Sequence, residues 1–147
     1  MAAKASIIEV NPAEIDDFST ILDLDESVCG SRTRGRWIAE SILAGQCYKA
    51  AISGRTAGFI IFNYSFYENG FVALLIVDPS TRRMGMGKRL MEYVEQICRT
   101  NKLFTSTNES NLPMQGLLES CGYVKSGFID NLDEGDPELV YYKKLRK

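Results

Sequence analysis

The chain has 147 residues, 45% hydrophobic and 24% charged, with 17 Lys and Arg against 19 Asp and Glu and no histidine. Such a length and balance predict one domain, residues 1–147, that buries about 70% of its unfolded surface, and they exclude wholesale disorder. Without histidine there is no Ser-His-Asp or Cys-His nucleophile pair, no His-ligated zinc and no imidazole general base.

A slightly acidic chain is a poor match for nucleic acid, whose binding relies on neutralising phosphates, so no nucleic-acid partner is expected. Cys29, Cys47, Cys98 and Cys121 form neither a Cys-x-x-Cys metal pattern nor a dense disulfide framework. They read as reduced, mostly buried thiols, with no metal. Ala2, Ala3 and Lys4 lead straight into a short apolar run, unlike a signal peptide. The longest apolar stretch, Phe71–Val77, is far too short to span a bilayer. The expectation is a soluble cytoplasmic protein with no membrane partner.

In chain order, the β-branched run Ala5–Val10 predicts a first strand. Asn11, Pro12 and Glu14 then look like the N-cap, first helical position and capping box of a helix running to about Leu22. Asp23–Gly35 is polar and reads as a loop, and Arg36–Ala44 as a second helix ended by Gly45. Cys47–Ile52 and Ala57–Tyr64 flank a turn at Ser53-Gly54-Arg55, the pattern of a β-hairpin. A turn at Glu68-Asn69-Gly70 leads into Phe71–Val77, which suits a strand covered on both faces. Met86, Leu90, Val94, Ile97 and Cys98 recur at helical spacing. Leu103–Thr107 reads as a strand. Asn111 can cap a short helix with Pro113 in its first turn and Gly122 at its end. Tyr123–Ile129 and Glu138–Leu145 read as final strands joined by an acidic loop. Strands and helices mingle, so the fold class is α/β (α+β), a mixed sheet with helices on its faces.

The segment Asp78-Pro79-Ser80-Thr81-Arg82-Arg83-Met84-Gly85-Met86-Gly87-Lys88 joins the apolar strand to the amphipathic helix. Such a junction aims unpaired backbone N–H groups at one spot, where the helix dipole adds partial positive charge. The glycines let an anion approach the backbone, and Arg82, Arg83, Lys88 and Arg89 add formal charge. The spacing fits neither a Walker loop nor a dinucleotide fingerprint. An anion site is the physical reading.

Arg82-Arg83-Met84-Gly85-Met86-Gly87 is similar to the Arg/Gln-x-x-Gly-x-Gly/Ala pyrophosphate motif of the GNAT superfamily of acyl-CoA-dependent N-acetyltransferases. Val77-Asp78-Pro79 also resembles that family. Asn111-Leu112-Pro113-Met114-Gln115-Gly116-Leu117-Leu118-Glu119-Ser120-Cys121-Gly122-Tyr123 resembles its Asn…Tyr-Glu-x-x-Gly-Phe block. The resemblance implies a mostly antiparallel sheet of about seven strands with about four helices, and acetyl-CoA as co-substrate between the fourth and fifth strands. It implies that backbone groups of Leu75, Ile76 and Val77 meet the pantetheine arm. Arg82, Arg83, Met84, Gly85, Met86, Gly87 and Lys88 would hold the pyrophosphate, and Asn111 would touch the cofactor from the other side. Members of the family are often dimers, so a homodimer is compatible with it.

The sequence departs from the family where proton transfer is concerned. The general-acid tyrosine of many members falls on Leu118, and the two alternative base positions fall on Ser106 and Phe71, none of which can do that work. The catalytic acid and base therefore stay unassigned, with Asn108, Glu109, Tyr64, Tyr67 and Tyr123 as candidate relay members. A leaving thiolate with a pKa of about 8.5 tolerates the loss of acid help at neutral pH. Direct attack of an amine on the thioester, driven mainly by orientation, is the mechanism that remains. Cys121 lacks the histidine that activates a nucleophilic thiol.

Asp130, Asp133, Glu134, Asp136 and Glu138 form an acidic run. By the resemblance this loop lies near the acceptor end of the cleft, where Asp133, Glu134 and Asp136 would draw a cationic small-molecule or peptide amine. A solvated acidic surface is an equal reading. Tyr64, Tyr67, Tyr141 and Tyr142 either line an acceptor pocket or belong to the core. Two other readings compete with an N-acetyltransferase. One is a CoA-binding regulatory module with little or no catalysis, and the other an interaction domain whose glycines only shape a turn.

Overall fold

A computed structural model describes residues 7–145. β1 (Ile8–Pro12) is followed by a single 3-10 turn at Ile15–Asp17, then α1 (Phe18–Cys29) and α2 (Gly35–Leu43). β2 (Cys47–Ile52), β3 (Arg55–Phe66) and β4 (Asn69–Val77) come next. A 3-10 turn at Pro79–Thr81 leads to α3 (Met86–Ile97), β5 (Lys102–Asn108), α4 (Leu112–Ser120), β6 (Val124–Ile129) and β7 (Glu138–Lys144). The seven strands lie in the order β1-β2-β3-β4-β5-β7-β6. β1 with β2, β2 with β3, β5 with β7 and β6 with β7 are antiparallel, whereas β4 and β5 are parallel. This is the mixed, mostly antiparallel sheet with four α-helices that the sequence predicts. No helix among the described residues is long and apolar enough to cross a membrane.

The start of the chain differs from expectation. Ala5 and Ser6 lie outside the described residues, and β1 runs on through Asn11 and Pro12. Asn11 is therefore a strand residue, paired with Lys49, and not a helix cap. Proline is tolerated there because β1 is an edge strand, where a missing N–H costs little. The turn that follows is closed by Asp17, whose Oδ2 accepts the Glu14 N–H at 2.8 Å and whose Oδ1 accepts Lys49 Nζ at 2.8 Å. The stretch Asp23–Cys29, read as loop, completes α1, and Gly30 at φ 82° ends it. Its polar letters concealed a buried face. Asp25 is fully buried on α1 and is gripped by Arg34 through Nε (3.1 Å) and Nη2 (2.7 Å).

The described residues fall into two compact units. One comprises everything up to Ile61 together with Leu74–Tyr93, and the other Phe62–Ala73 with everything from Val94 on. In the first, Ile21, Ile38, Met86, Leu90 and Met91 are sealed from solvent. Gly58 of β3 sits in close packing there: a Cβ on it would come within 3.1 Å of the Ile76 carbonyl oxygen and of Met86 Cγ, and 3.3 Å of Leu90 Cδ1.

The second unit is cored by Val94, Leu103, Leu118, Tyr123 and Tyr141. Gly70 serves close approach here and not the turn it was expected to make. The turn residues are Tyr67 and Glu68, both at positive φ, while a Cβ on Gly70 would lie 2.5 Å from Cys98 Sγ. Gly70 N–H donates to Thr100 Oγ1 at 3.0 Å, and Thr105 Oγ1 donates to the Val72 carbonyl at 2.9 Å, which pins β5 to β4.

Candidate functional site

The Asp78–Lys88 segment folds as one device, all of it in the first unit. β4 delivers the chain through half-buried Leu75, buried Ile76 and half-buried Val77 to Asp78. Asp78 then organises the bend: its Oδ1 accepts both the Ser80 N–H and the Ser80 hydroxyl at 2.9 Å, and its Oδ2 accepts Arg55 Nη1 at 3.0 Å. Its own N–H donates to the Ala57 carbonyl at 2.7 Å. The Ser80 amide, then the Ser80 hydroxyl and the Arg55 guanidinium, hold the Asp78 carboxyl below its ordinary range. Thr81 closes the 3-10 turn, with both its N–H (2.9 Å) and its hydroxyl (3.0 Å) donating to the Asp78 carbonyl.

Beyond that bend the backbone enters the left-handed region at Arg83 (φ 71°) and Gly85 (φ 83°). Alternation of this kind turns successive N–H groups toward one concavity. Helix α3 starts at Met86, and the Arg89 N–H closes its first turn on the Gly85 carbonyl at 3.0 Å. The first-turn amides of Met86, Gly87 and Lys88 have no partner within the helix, as at any helix start. A Cβ built on Gly85 would meet nothing within 4 Å, so this backbone is open to an approaching group. Arg82, Arg83, Lys88 and Arg89 are exposed, and none forms a salt bridge among the described residues. Met86 is 1% exposed and contributes its amide only, because its side chain packs toward Gly58. Open amides, a helix N-terminus and free cations together suit a diphosphate.

The remaining candidates lie in the second unit. Asn111 caps α4, its side-chain oxygen accepting the Met114 N–H at 3.1 Å. Asn108 Nδ2 donates to Asp133 Oδ2 at 2.8 Å, and Asp136 accepts the Ser110 N–H (3.0 Å) and hydroxyl (2.6 Å). Asp133 and Asp136 thus tether the β6–β7 loop through neutral donors, while Glu134 stands exposed.

Leu118 is fully buried, Ser106 half-buried, and Phe71 stacks on Phe66, so the family's proton-transfer positions are apolar or inert. Tyr123 leaves the relay candidates. It is 2% exposed and its hydroxyl donates to Glu95 Oε2 at 2.8 Å; burial first, then the Glu95 carboxylate, push its pKa far up. Glu95 in turn accepts Lys143 Nζ at 3.0 Å, a structural cluster. The Tyr64 hydroxyl accepts the Arg99 N–H, and Tyr67 projects into solvent at 84% exposure. Tyr141 is core, with a buried hydroxyl that has no hydrogen-bond partner among the described residues. Among the described residues no cluster of His, Cys, Asp and Glu is positioned to hold a metal.

Arg55 and Gly58 escaped the sequence reading. Arg55 looked like a turn residue, and only the fold brings it to Asp78. Ser80 was within reach of it, since Asp-Pro-Ser is a recognisable turn-capping triplet.

The model of the acetyltransferase (GNAT) family matches residues 15–123. Among solved structures, a GNAT-family acetyltransferase from Bacillus cereus ATCC 10987 is 37% identical, with TM-score 0.92 and coverage of 96% of this chain and 99% of that one. The ribosomal-protein-S18-alanine N-acetyltransferase from Escherichia coli is 16% identical, TM-score 0.78, covering 96% of each chain. An N-acetyltransferase from Staphylococcus aureus Mu50 is 15% identical, TM-score 0.75, covering 96% of this chain and 100% of that one. The last two share the fold alone. No curated protein matches the chain.

Proposed function

This chain belongs to the acetyltransferase (GNAT) family, and from that premise we propose that its Asp78–Lys88 loop holds the pyrophosphate of acetyl-CoA for transfer to a cationic primary amine. The enzyme is an acyltransferase that uses acetyl-CoA and an amine. The proposal adds which residues act and which amines are favoured, with the described residues working as one catalytic domain. The observation that carries it is the set of open amides at Arg83 and from Gly85 to Lys88, flanked by unpaired Arg82, Arg83, Lys88 and Arg89, whereas the Met84 N–H is spent on the Thr81 carbonyl at 3.4 Å.

Acetyl-CoA supplies an activated thioester whose thiolate leaves readily. The chain's part is mostly positional. Arg83, Gly85, Met86, Gly87 and Lys88 fix the diphosphate through backbone N–H groups, while Met84, its N–H donated to Thr81, shapes the loop and Arg82 adds charge. Backbone groups of Leu75, Ile76 and Val77 orient the pantetheine, and Asn111 contributes its remaining amide N–H groups. Asp133, Glu134 and Asp136 raise the local concentration of a cationic amine. Once water has taken its proton, the neutral amine attacks the acetyl carbonyl, the new C–N bond replaces the C–S bond, and CoA leaves as the thiolate. No side chain of the described residues stands out as acid or base, so solvent carries the proton, and the rate rests on orientation.

Incubating the purified chain with acetyl-CoA and a panel of amines, with released thiol and acetylated product both measured, tests the reading. Turnover with polyamines or basic peptide amines exceeding that with neutral amines is expected. Turnover restricted to neutral amines overturns the cationic preference. Tight CoA binding with no product from any amine overturns the catalytic assignment and leaves a CoA-binding module.

A further inference from the structure

The β2–β3 hairpin carries an irregularity in its register. Ile52 pairs with Arg55 and Ala51 with Thr56, but Ala50 pairs with Gly58, so Ala57 stands as an extra residue in β3, a β-bulge. Partners across a ladder point to the same side of the sheet, and Ala50 and Ile52, two apart, share a side. Arg55 therefore lies on the same face as Gly58, three positions on, where unbroken alternation would put them on opposite faces. That face is the one on which α3 packs, since a Cβ on Gly58 would meet Met86 and Leu90. Bulges next to functional sites re-aim side chains in this way.

The re-aimed arginine has a partner waiting. Arg55 Nη1 donates to Asp78 Oδ2 at 3.0 Å, and the carbonyl of the bulged Ala57 accepts the Asp78 N–H at 2.7 Å. Gly58, the next residue, abuts Met86 at the far end of the same loop. Residues 55–58 of β3 thus bracket the loop at its entry and its exit. Asp78 is the one carboxylate in a segment whose other charged residues, Arg82, Arg83, Lys88 and Arg89, are all cations. Its Oδ1 is held by Ser80, a contact inside the turn itself, whereas its Oδ2 is held from the sheet by Arg55. The arginine is the side-chain tie between the turn and the rest of the unit.

We propose that the bulge at Ala57 makes Arg55 a positioning residue for the cofactor loop: from the preceding hairpin it fixes Asp78, and through Asp78 the Ser80–Thr81 turn and the amides that receive the diphosphate. Arg55 itself touches no part of the cofactor. The inference rests on the reading of Asp78–Lys88 as the diphosphate loop of acetyl-CoA.

Steady-state kinetics and melting curves of Arg55→Met, Asp78→Asn and the double variant test it. The Arg55 side chain is 57% exposed, so Tm of Arg55→Met stays within about 2 °C of the wild type. Each single variant raises KM for acetyl-CoA about fivefold and leaves kcat and KM for the amine unchanged, and the double variant is no worse than either, because all three break one contact. Arg55→Lys, which keeps one donor for Asp78, stays within about twofold of the wild type. An unchanged KM for acetyl-CoA in Arg55→Met overturns the proposal. So does an additive double variant, which means that Arg55 acts on the cofactor without Asp78. Calorimetric titration with CoA separates this inference from the reading beneath it. A wild-type chain that binds no CoA overturns both, whereas CoA binding that Arg55→Met leaves intact overturns the role of Arg55 alone.

Discussion

Gly58→Val places a side chain under the first turn of α3, where the anion loop ends. The Cβ alone arrives 3.1 Å from the Ile76 carbonyl oxygen and from Met86 Cγ, and 3.3 Å from Leu90 Cδ1. The two methyls lie further out along that path, and Met86 and Leu90 are at most 1% exposed, so neither can retreat into solvent. Overpacking of this kind costs about 2 kcal/mol, or roughly 4–8 °C in Tm for a chain of this size. Met86 adjoins Gly85, so relief by sliding α3 also misaligns the loop amides, and KM for acetyl-CoA rises roughly tenfold. Urea denaturation and steady-state kinetics measure the two effects. Gly70→Ala is the control. Its Cβ collides with Cys98 Sγ at 2.5 Å and costs similar stability, yet it is packed among residues of the other unit. An unchanged KM in Gly58→Val refutes the coupling of this packing to the loop. An equal rise in KM with Gly70→Ala refutes it too, since general softening then suffices.

Four further outcomes are expected. Arg83→Gly relieves a left-handed arginine and stabilises the fold by up to about 1 kcal/mol, while KM for acetyl-CoA rises with the lost charge; a stability loss contradicts this. Arg34→Ala strands the fully buried Asp25 and costs about 3 kcal/mol by calorimetry, and Asp25→Leu in the same chain recovers much of it. Asp78 has a folded pKa below its unfolded value, so its contribution is complete above about pH 4 and drains away as pH falls through the folded value. Asp78→Asn therefore lowers stability at neutral pH and flattens the acid limb of the unfolding curve; an unchanged limb refutes the assignment. Tyr141→Phe removes a buried hydroxyl that has no partner among the described residues and should raise Tm, corresponding to about 1 kcal/mol, where loss of a hidden hydrogen bond would lower it.

Local chemistry carried most of the fold into the sequence. Glycine, proline and asparagine punctuation placed Cys47–Ile52 and the Asn111 cap correctly, and apolar spacing placed α3. Misreadings arose where a partner distant in the chain reverses the meaning of a residue. Asp25 fell within a stretch read as polar loop because Arg34 was not visible as its counter-ion, and so the end of α1 was lost. Asn11-Pro12 spelled a helix start, but pairing with β2 extended the strand through it. Gly70 read as a turn residue because crowding by Cys98, Phe62 and Leu103 leaves no mark in neighbouring letters. In the site, the anion loop was readable because its chemistry is contiguous. Arg55 and Gly58, which hold that loop in place, were not, because they act from the preceding hairpin.

The parallel pairing of β4 with β5 has a consequence for how the molecule assembles. Thr105 must reach Val72 across a separation of 33 residues, whereas the β2–β3 and β3–β4 hairpins close over two-residue turns. Local hairpins form in microseconds, and long-range parallel contacts wait on loop closure and on a folded crossover. Val72 with Thr105, and Gly70 with Thr100, are therefore the contacts expected to lock last on refolding. Being side-chain pins on a short register, they are also the ones through which the native chain should open first.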